Sequence, residues 1–239
     1  APCIRLWHQF DMSQFVGKGK KIGFPIFELD RFTELENLHL ANGCDSIFVC
    51  SKWAKEIIHR DVGKIMNNCS FRTPYILPYK EEDVKVVPLG VDTDIFFPST
   101  SSRRKTTVFL NVGKWEVRKG HAELIDAFNK AFTNNDNVEL WLMSENIFLK
   151  PEKKQYWENL ALNSPLGNKI RLITRVESQS QVADIMRQAD FGVFPAKAEG
   201  WNLDLLEMLA CGKRVIATNY SGHTEFCSSE NSLLLDIER

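Results

Sequence analysis

The sequence predicts an α/β chain organised in two domains around parallel sheets. Three observations carry this. After Thr107, short apolar runs alternate with longer helical segments, the pattern of parallel strands joined by helical crossovers. Between Ala189 and Gly212 (ADFGVFPAKAEGWNLDLLEMLACG) a buried strand feeds a polar loop that opens a helix. In open parallel sheets, ligands bind at such carboxyl ends. Finally, Ser99–Thr107 are small and polar, as linkers are, and divide the chain into a domain over 1–98 and a domain over 99–239.

In the first domain, Ile4–His8 reads as a strand and Gly17–Lys21 as a turn with a basic tip. Ile22–Phe27 is a second apolar run, and Pro25 within it predicts a strand end or an edge. Asp30–Ala41 carries Phe32, Leu35, Leu38 and Leu40 on roughly one helical face. Ser46–Cys50 is a buried strand, and Ser51 caps a helix over Lys52–His59. Asp61–Asp83 has no steady period and reads as a loop excursion, after which Val84–Pro88 returns as a strand.

The second domain predicts strands at Thr107–Val112, Val138–Met143, Lys169–Thr174, Phe191–Phe194, Arg214–Ala217 and Ser232–Leu235. Helices fall at Lys119–Phe132, Glu152–Leu162, Ser180–Gln188, Leu203–Cys211 and Ser221–Cys227. This is a Rossmann-like domain of about 140 residues, large enough to bury its own core.

With 44% hydrophobic and 26% charged residues the chain has the composition of a globular protein. Its net charge of −1 gives no global field to recruit nucleic acid. No apolar run approaches the roughly 20 residues that span a bilayer, and no signal peptide opens the sequence. The six cysteines form no CxxC pair and no metal-ligand spacing. Buried free thiols in a reducing, cytoplasmic setting are expected, with peripheral membrane association as an addition to it.

Two carboxylates flank the helix after Phe194: Glu199 in the loop and Glu207 inside the helix. With Asn202 as N-cap, Glu207 lies about 6–8 Å along the axis, at roughly 1.5 Å per residue. Between them lie the unpaired N–H groups of a helix start, a site for an anion. The spacing also fits two solvated glutamates beside an ordinary loop. Gly113–Gly120 joins another strand to its helix and carries Lys114 and Lys119. Fixed cations stabilise charge growing on a departing diphosphate. A charge-assisted bond contributes about 1.5–3 kcal/mol, against about 0.3–1 kcal/mol from a helix start.

Glu199, seven residues and Glu207, within AEGWNLDLLEMLACGKRVIAT, resemble the signature of retaining glycosyltransferases of family 4, which have the GT-B fold. The resemblance extends to VPLGVDTDIFFP, NVGKWEVRKGHAELIDAF and SGHTEF. It implies two Rossmann-like domains, the N-terminal one abbreviated, and a chain short at both ends. It implies that Glu199 sits by the donor sugar and Glu207 holds the ribose hydroxyls. Gly200, Trp201, Asn202 and Leu203 would give backbone amides to the phosphate, with Gly113 giving close approach. Lys119 matches the family's lysine, whereas Lys114 stands where arginine is usual and loses the two-pronged contact. Asn202 replaces a glycine, which asparagine does with least strain. Asp204 adds a negative charge near the phosphate site. The base would pack by Arg175 and Val176, where Arg175 either stacks or is solvated. Glu225 matches a structural glutamate.

The function implied is transfer of a sugar from a UDP-, GDP- or ADP-sugar to a saccharide or glycolipid acceptor. The leaving diphosphate would help deprotonate the acceptor hydroxyl, with no metal and no further cofactor. His8, which ends the first strand, either faces the acceptor or is structural. The alternative is a nucleotide-sugar binding module, or fragment, without turnover. A sugar-nucleotide epimerase of related fold fits the signature less well.

Overall fold

The computed structural model describes residues 1–68, 81–99 and 105–238, with the backbone alone over 62–68 and at 81. Cys69, most of the loop excursion before Asp83, and residues 100–104 of the linker lie outside the described residues. The chain divides into two units. One comprises Ala1–Leu89 with the loops Ala198–Trp201 and Ser221–Glu225, and the other the remainder.

The first unit is a parallel four-stranded sheet in the order β1 (Cys3–His8), β2 (Lys21–Ile26), β3 (Ser46–Val49), β4 (Val84–Val86). Helices α1 (Glu34–Gly43) and α2 (Lys52–Asn68) pack on it around Phe27, Leu40, Ile47, Val49, Ile57 and Ile58. Strand β2 is internal rather than an edge. Its pairing with β3 covers Ile22 and Gly23, so Pro25, opposite Trp7 of β1, falls where the strand has a single partner. The proline thus obeys the edge rule locally.

Helix α1 starts four residues later than the sequence suggests. Thr33 and Glu36 form a capping box: Glu36 N–H donates to Thr33 Oγ1 (3.3 Å) and Thr33 N–H donates to Glu36 Oε2 (2.7 Å). The two bonds satisfy donors that the first turn leaves open. Helix α2 runs past His59 to Asn68, so Gly63 sits in its interior and does not end it.

The second unit is a parallel six-stranded sheet. Its strands are β5 (Thr107–Val112), β6 (Val138–Met143), β7 (Ile170–Leu172), β8 (Phe191–Phe194), β9 (Arg214–Thr218) and β10 (Ser232–Leu235). Their spatial order is β10-β9-β8-β5-β6-β7. Alternation along the strands supplies two cores. Val108, Leu110 and Val112 meet α5 (Gln179–Gln188) and α6 (Leu203–Ala210) on one face. On the other, Leu140 and Leu142 meet α3 (His121–Ala131) and α4 (Pro151–Leu162). A sheet covered on both faces needs near-continuous apolar strands, which is what these sequences are. The segment before the linker packs here too: Phe96 is buried in the first of these cores, and Arg187 Nη1 donates to Ile95 O (2.9 Å).

Two expectations change. Strand β7 stops at Leu172, so Arg175 and Val176 lie in the connection beyond it. Ser221–Cys227 is not a helix but holds a short 3-10 turn over Gly222–Glu225. Glu199 N–H donates to Ser221 Oγ and Gly222 N–H donates to Glu199 O, both at 2.8 Å. Those bonds hold Ser221 at φ 71°, outside any helix.

Candidate functional site

The order of the second sheet reverses between β5 and β8, each of which is followed by a connection to a helix on a different face. A parallel sheet opens a crevice at such a reversal. Its walls here are Gly113–Gly120 after β5 and the loop from Pro195 after β8. They are bonded to each other, Lys197 N–H donating to Arg118 O at 2.8 Å. Gly120 makes the join possible. Its φ is 73°, and a Cβ there would lie 2.3 Å from the Pro195 carbonyl oxygen.

Lys119 ends a 3-10 turn over Val117–Lys119 and folds back across Gly113. A Cβ on Gly113 would meet Lys119 Cδ and Cε at 3.4 Å. Lys119 Nζ then lies 3.5 Å from Asp204 Oδ2, with the lysine side chain 12% exposed and the aspartate 34%. Lys114 is exposed.

The loop is anchored from below. Trp115 is buried against Trp157, and His121, fully buried, lies 4.6 Å from the Trp115 ring centroid. His121 Nδ1 is 3.3 Å from Glu116 O, and Nε2 is 3.0 Å from Ser144 Oγ. Burial lowers its pKa to about 4, so the ring is neutral at pH 7. A carbonyl only accepts, so Nδ1 carries the proton and Nε2 accepts from the Ser144 hydroxyl. Sequence reading missed this histidine. Its one signal is a position directly after the Lys119–Gly120 turn, at the first residue of α3.

Helix α6 begins at Asn202, whose φ of 74° and ψ of 70° are left-handed. Asparagine adopts this with less strain than most residues. Its side chain does not cap the helix, contrary to the capping role expected for it. It is 5% exposed, and both amide atoms are buried without a partner among the described residues. Leu205 and Met208 face the core, and Gly192 of β8 admits the Met208 side chain. Asp204 and Glu207, one turn apart, share another side. Burial first, and then repulsion from Asp204, raises the Glu207 pKa to about 7. Leu203 and Arg175 are exposed, and Val176 is half-buried.

The second unit thus brings together Gly113, Lys119, Asn202, Asp204 and Glu207. Glu199, Gly200 and Trp201 group with the first unit. Glu199 is 4% exposed and Trp201 6%. Gly200 O accepts from Ser51 Oγ at 3.2 Å, and a Cβ on Gly200 would sit 2.5 Å from Phe27 O. Glu225 Oε1 accepts from Lys52 N–H at 2.6 Å, at the start of α2. His8 lies at the exposed end of β1, stacked on Phe10 at 5.4 Å.

A family model described as Glycosyl transferases group 1 matches residues 92–236, more than half of the chain. The chain belongs to this family. Among curated relatives of this group 1 chain, an uncharacterized glycosyltransferase, MJ1178 of Methanocaldococcus jannaschii, is 30% identical over 155 residues. That match covers 62% of this chain and 39% of the relative. A probable sucrose-phosphate synthase of Thermosipho melanesiensis is 25% identical over 156 residues, covering 63% of this chain and 36% of that protein. The chain therefore spans well under half the length of both curated relatives. In fold, the group 1 chain resembles Anabaena Alr3699/HepE in complex with UDP-glucose, with a TM-score of 0.71 and 15% identity. That likeness covers 91% of this chain and 58% of the other. The two parallel-sheet, Rossmann-like α/β units are those of GT-B glycosyltransferases.

Proposed function

We propose that this chain binds a nucleotide-diphosphate sugar and serves a retaining, family 4 type transfer of that sugar to a saccharide or glycolipid acceptor. One observation carries the reading. A lysine folded over a glycine, at the sheet's reversal point, faces the first turn of a helix whose cap residue has an unengaged buried amide. Cation, helix N–H groups and amide together suit a diphosphate. In this reading Lys119 and the α6 amides bind the phosphates, Glu207 accepts from the ribose hydroxyls, and Arg175 and Val176 flank the base. Lys114 adds a solvent-side charge. Glu199 and the backbone of Gly200, Trp201 and Leu203 serve the sugar and its phosphate, and His8 the acceptor.

The leaving diphosphate takes the proton of the incoming hydroxyl as the new glycosidic bond forms on the face from which it departs. Charge is carried by lysine and amides, so no metal is invoked, and transfer in excess chelator checks that. UDP-glucose in the HepE complex makes a UDP-sugar the first donor to try. Calorimetric titration with UDP, GDP and ADP tests the site. Glu207→Ala and Lys119→Ala should each weaken the binding nucleotide tenfold or more, and unchanged affinity in both would remove it. The second reading is a nucleotide-sugar binding module, or fragment, without turnover. Radiolabelled donor separates the two: tight binding with neither hydrolysis nor transfer selects the module.

A further inference from the structure

We infer that Asp204 is a resident anion in the phosphate slot, and that its carboxylate competes with the donor diphosphate for Lys119. The inference rests on the proposed nucleotide-sugar reading and adds a regulator of affinity to it. Two features of the second unit would draw a phosphate: the first turn of α6 and the ammonium of Lys119. The Asp204 carboxylate already engages both. It occupies the second helical position, where a negative charge meets the positive end of the helix dipole. It also lies 3.5 Å from Lys119 Nζ.

The lysine is held to that spot. Gly113 lies under its methylene chain, with Cδ and Cε at contact distance from where a Cβ would be. Gly120, locked against Pro195, fixes the turn that delivers it. Asp204 is the more exposed partner, at 34% against 12% for the lysine. The carboxylate end of the pair is the part open to solvent, and a doubly charged diphosphate outcompetes a singly charged carboxylate for the same cation. The displaced charge stays nearby, however, on the first turn of the same helix. Binding is therefore attenuated by repulsion as well as by competition. The inverse mutational sign follows: removing a charged residue from the site strengthens donor binding.

Calorimetry on the full chain tests this with UDP and, separately, inorganic pyrophosphate. The variants are Asp204→Asn, Asp204→Ser, Lys119→Ala and the Lys119→Ala/Asp204→Asn double. Asn and Ser are both tolerated in a first helical turn, and melting curves report the fold. Asp204→Asn and Asp204→Ser should bind both probes about threefold to tenfold tighter than the wild type, the size of a partly exposed ion pair with a helix-dipole contribution. In the Lys119→Ala background that gain should shrink by half or more, because the contested cation is gone. Equal or weaker binding by the Asp204 variants overturns the inference and makes Asp204 a support for the lysine. An equal gain in both backgrounds overturns it too, since a diffuse field would then suffice. Pyrophosphate binding with the expected gain, but no affinity for UDP, GDP or ADP, would leave the anion slot standing and remove the nucleotide-sugar reading. Absence of binding of pyrophosphate and of UDP, GDP and ADP to every variant would remove both.

Discussion

Trp115 and Trp157 stack with centroids 5.6 Å apart and planes 8° from parallel, which ties the Lys119 loop into the core of the second unit. Trp157 is 7% exposed on α4. Trp157→Ala should cost about 3–5 kcal/mol, the usual range for a buried tryptophan. Urea unfolding measures it, and a loss under 1 kcal/mol would show that the loop does not depend on this stack.

Gly120→Ala should be more damaging than a helix-start substitution suggests. A left-handed backbone at a non-glycine residue costs about 1–3 kcal/mol, and the new methyl must also displace the Pro195 carbonyl from 2.3 Å. The melting temperature and soluble yield of Gly120→Ala check this. A variant as stable as the parent would mean that the two loops separate freely.

Nucleotide affinity should rise with pH through neutrality. Glu207 has a pKa of about 7 in the folded chain, raised from 4.5 by burial and by Asp204. In the proposed site its ionised form is the stronger acceptor for the ribose hydroxyls. The sign for stability is opposite. Between pH 4.5 and 7 the folded state binds more protons than the unfolded one, so the contribution of Glu207 to stability falls as pH rises across that window. Glu207→Gln should flatten both profiles, as seen by titrations with UDP and by urea midpoints at pH 5.5 and 8.

His121 should govern acid sensitivity. Its pKa falls from 6.5 to about 4 on folding, so the unfolded state binds more protons and stability drops as pH falls from 6.5 to 4. In His121→Gln the drop should be smaller over that interval. The comparison is made with thermal melts at pH 7 and pH 5, and an equal drop in both proteins would place the acid lability elsewhere.

Glu225→Ala should lower the stability of the first unit by about 0.5–2 kcal/mol, as loss of a capping acceptor does. Its Oε1 takes the Lys52 N–H at 2.6 Å at the start of α2. Glu225→Gln keeps an acceptor and should lose less. Chemical denaturation of the two variants side by side is the measurement.

Most strands of the second sheet were legible as short apolar runs: β5, β6 and β8 inside the sheet, and β10 at its edge, have the expected bounds. Spacing and resemblance single out Lys119 and Glu207, and the structure places both in the second unit. What the sequence concealed depends on contacts between distant residues. Thr33 and Glu36 mark the start of α1, yet Phe32 on the preceding turn extends the apolar pattern and hides it. Ser221 and Gly222 are bent by bonds to Glu199, 22 residues away in the case of Ser221. The sequence shows Asp204 as a charge in the first turn of a helix, but its direction toward Lys119 is set by the sheet order that places β5 beside β8.

The packing of the Gly113–Gly120 turn also decides how it can be redesigned. Both glycines, Trp115 and Lys119 are committed by backbone angle, close approach or burial, whereas Lys114 and Val117 point outward, the latter 67% exposed. A randomised library aimed at altered donor preference should therefore vary those two outward codons and freeze the four committed ones, trading combinatorial breadth for a far larger folded fraction.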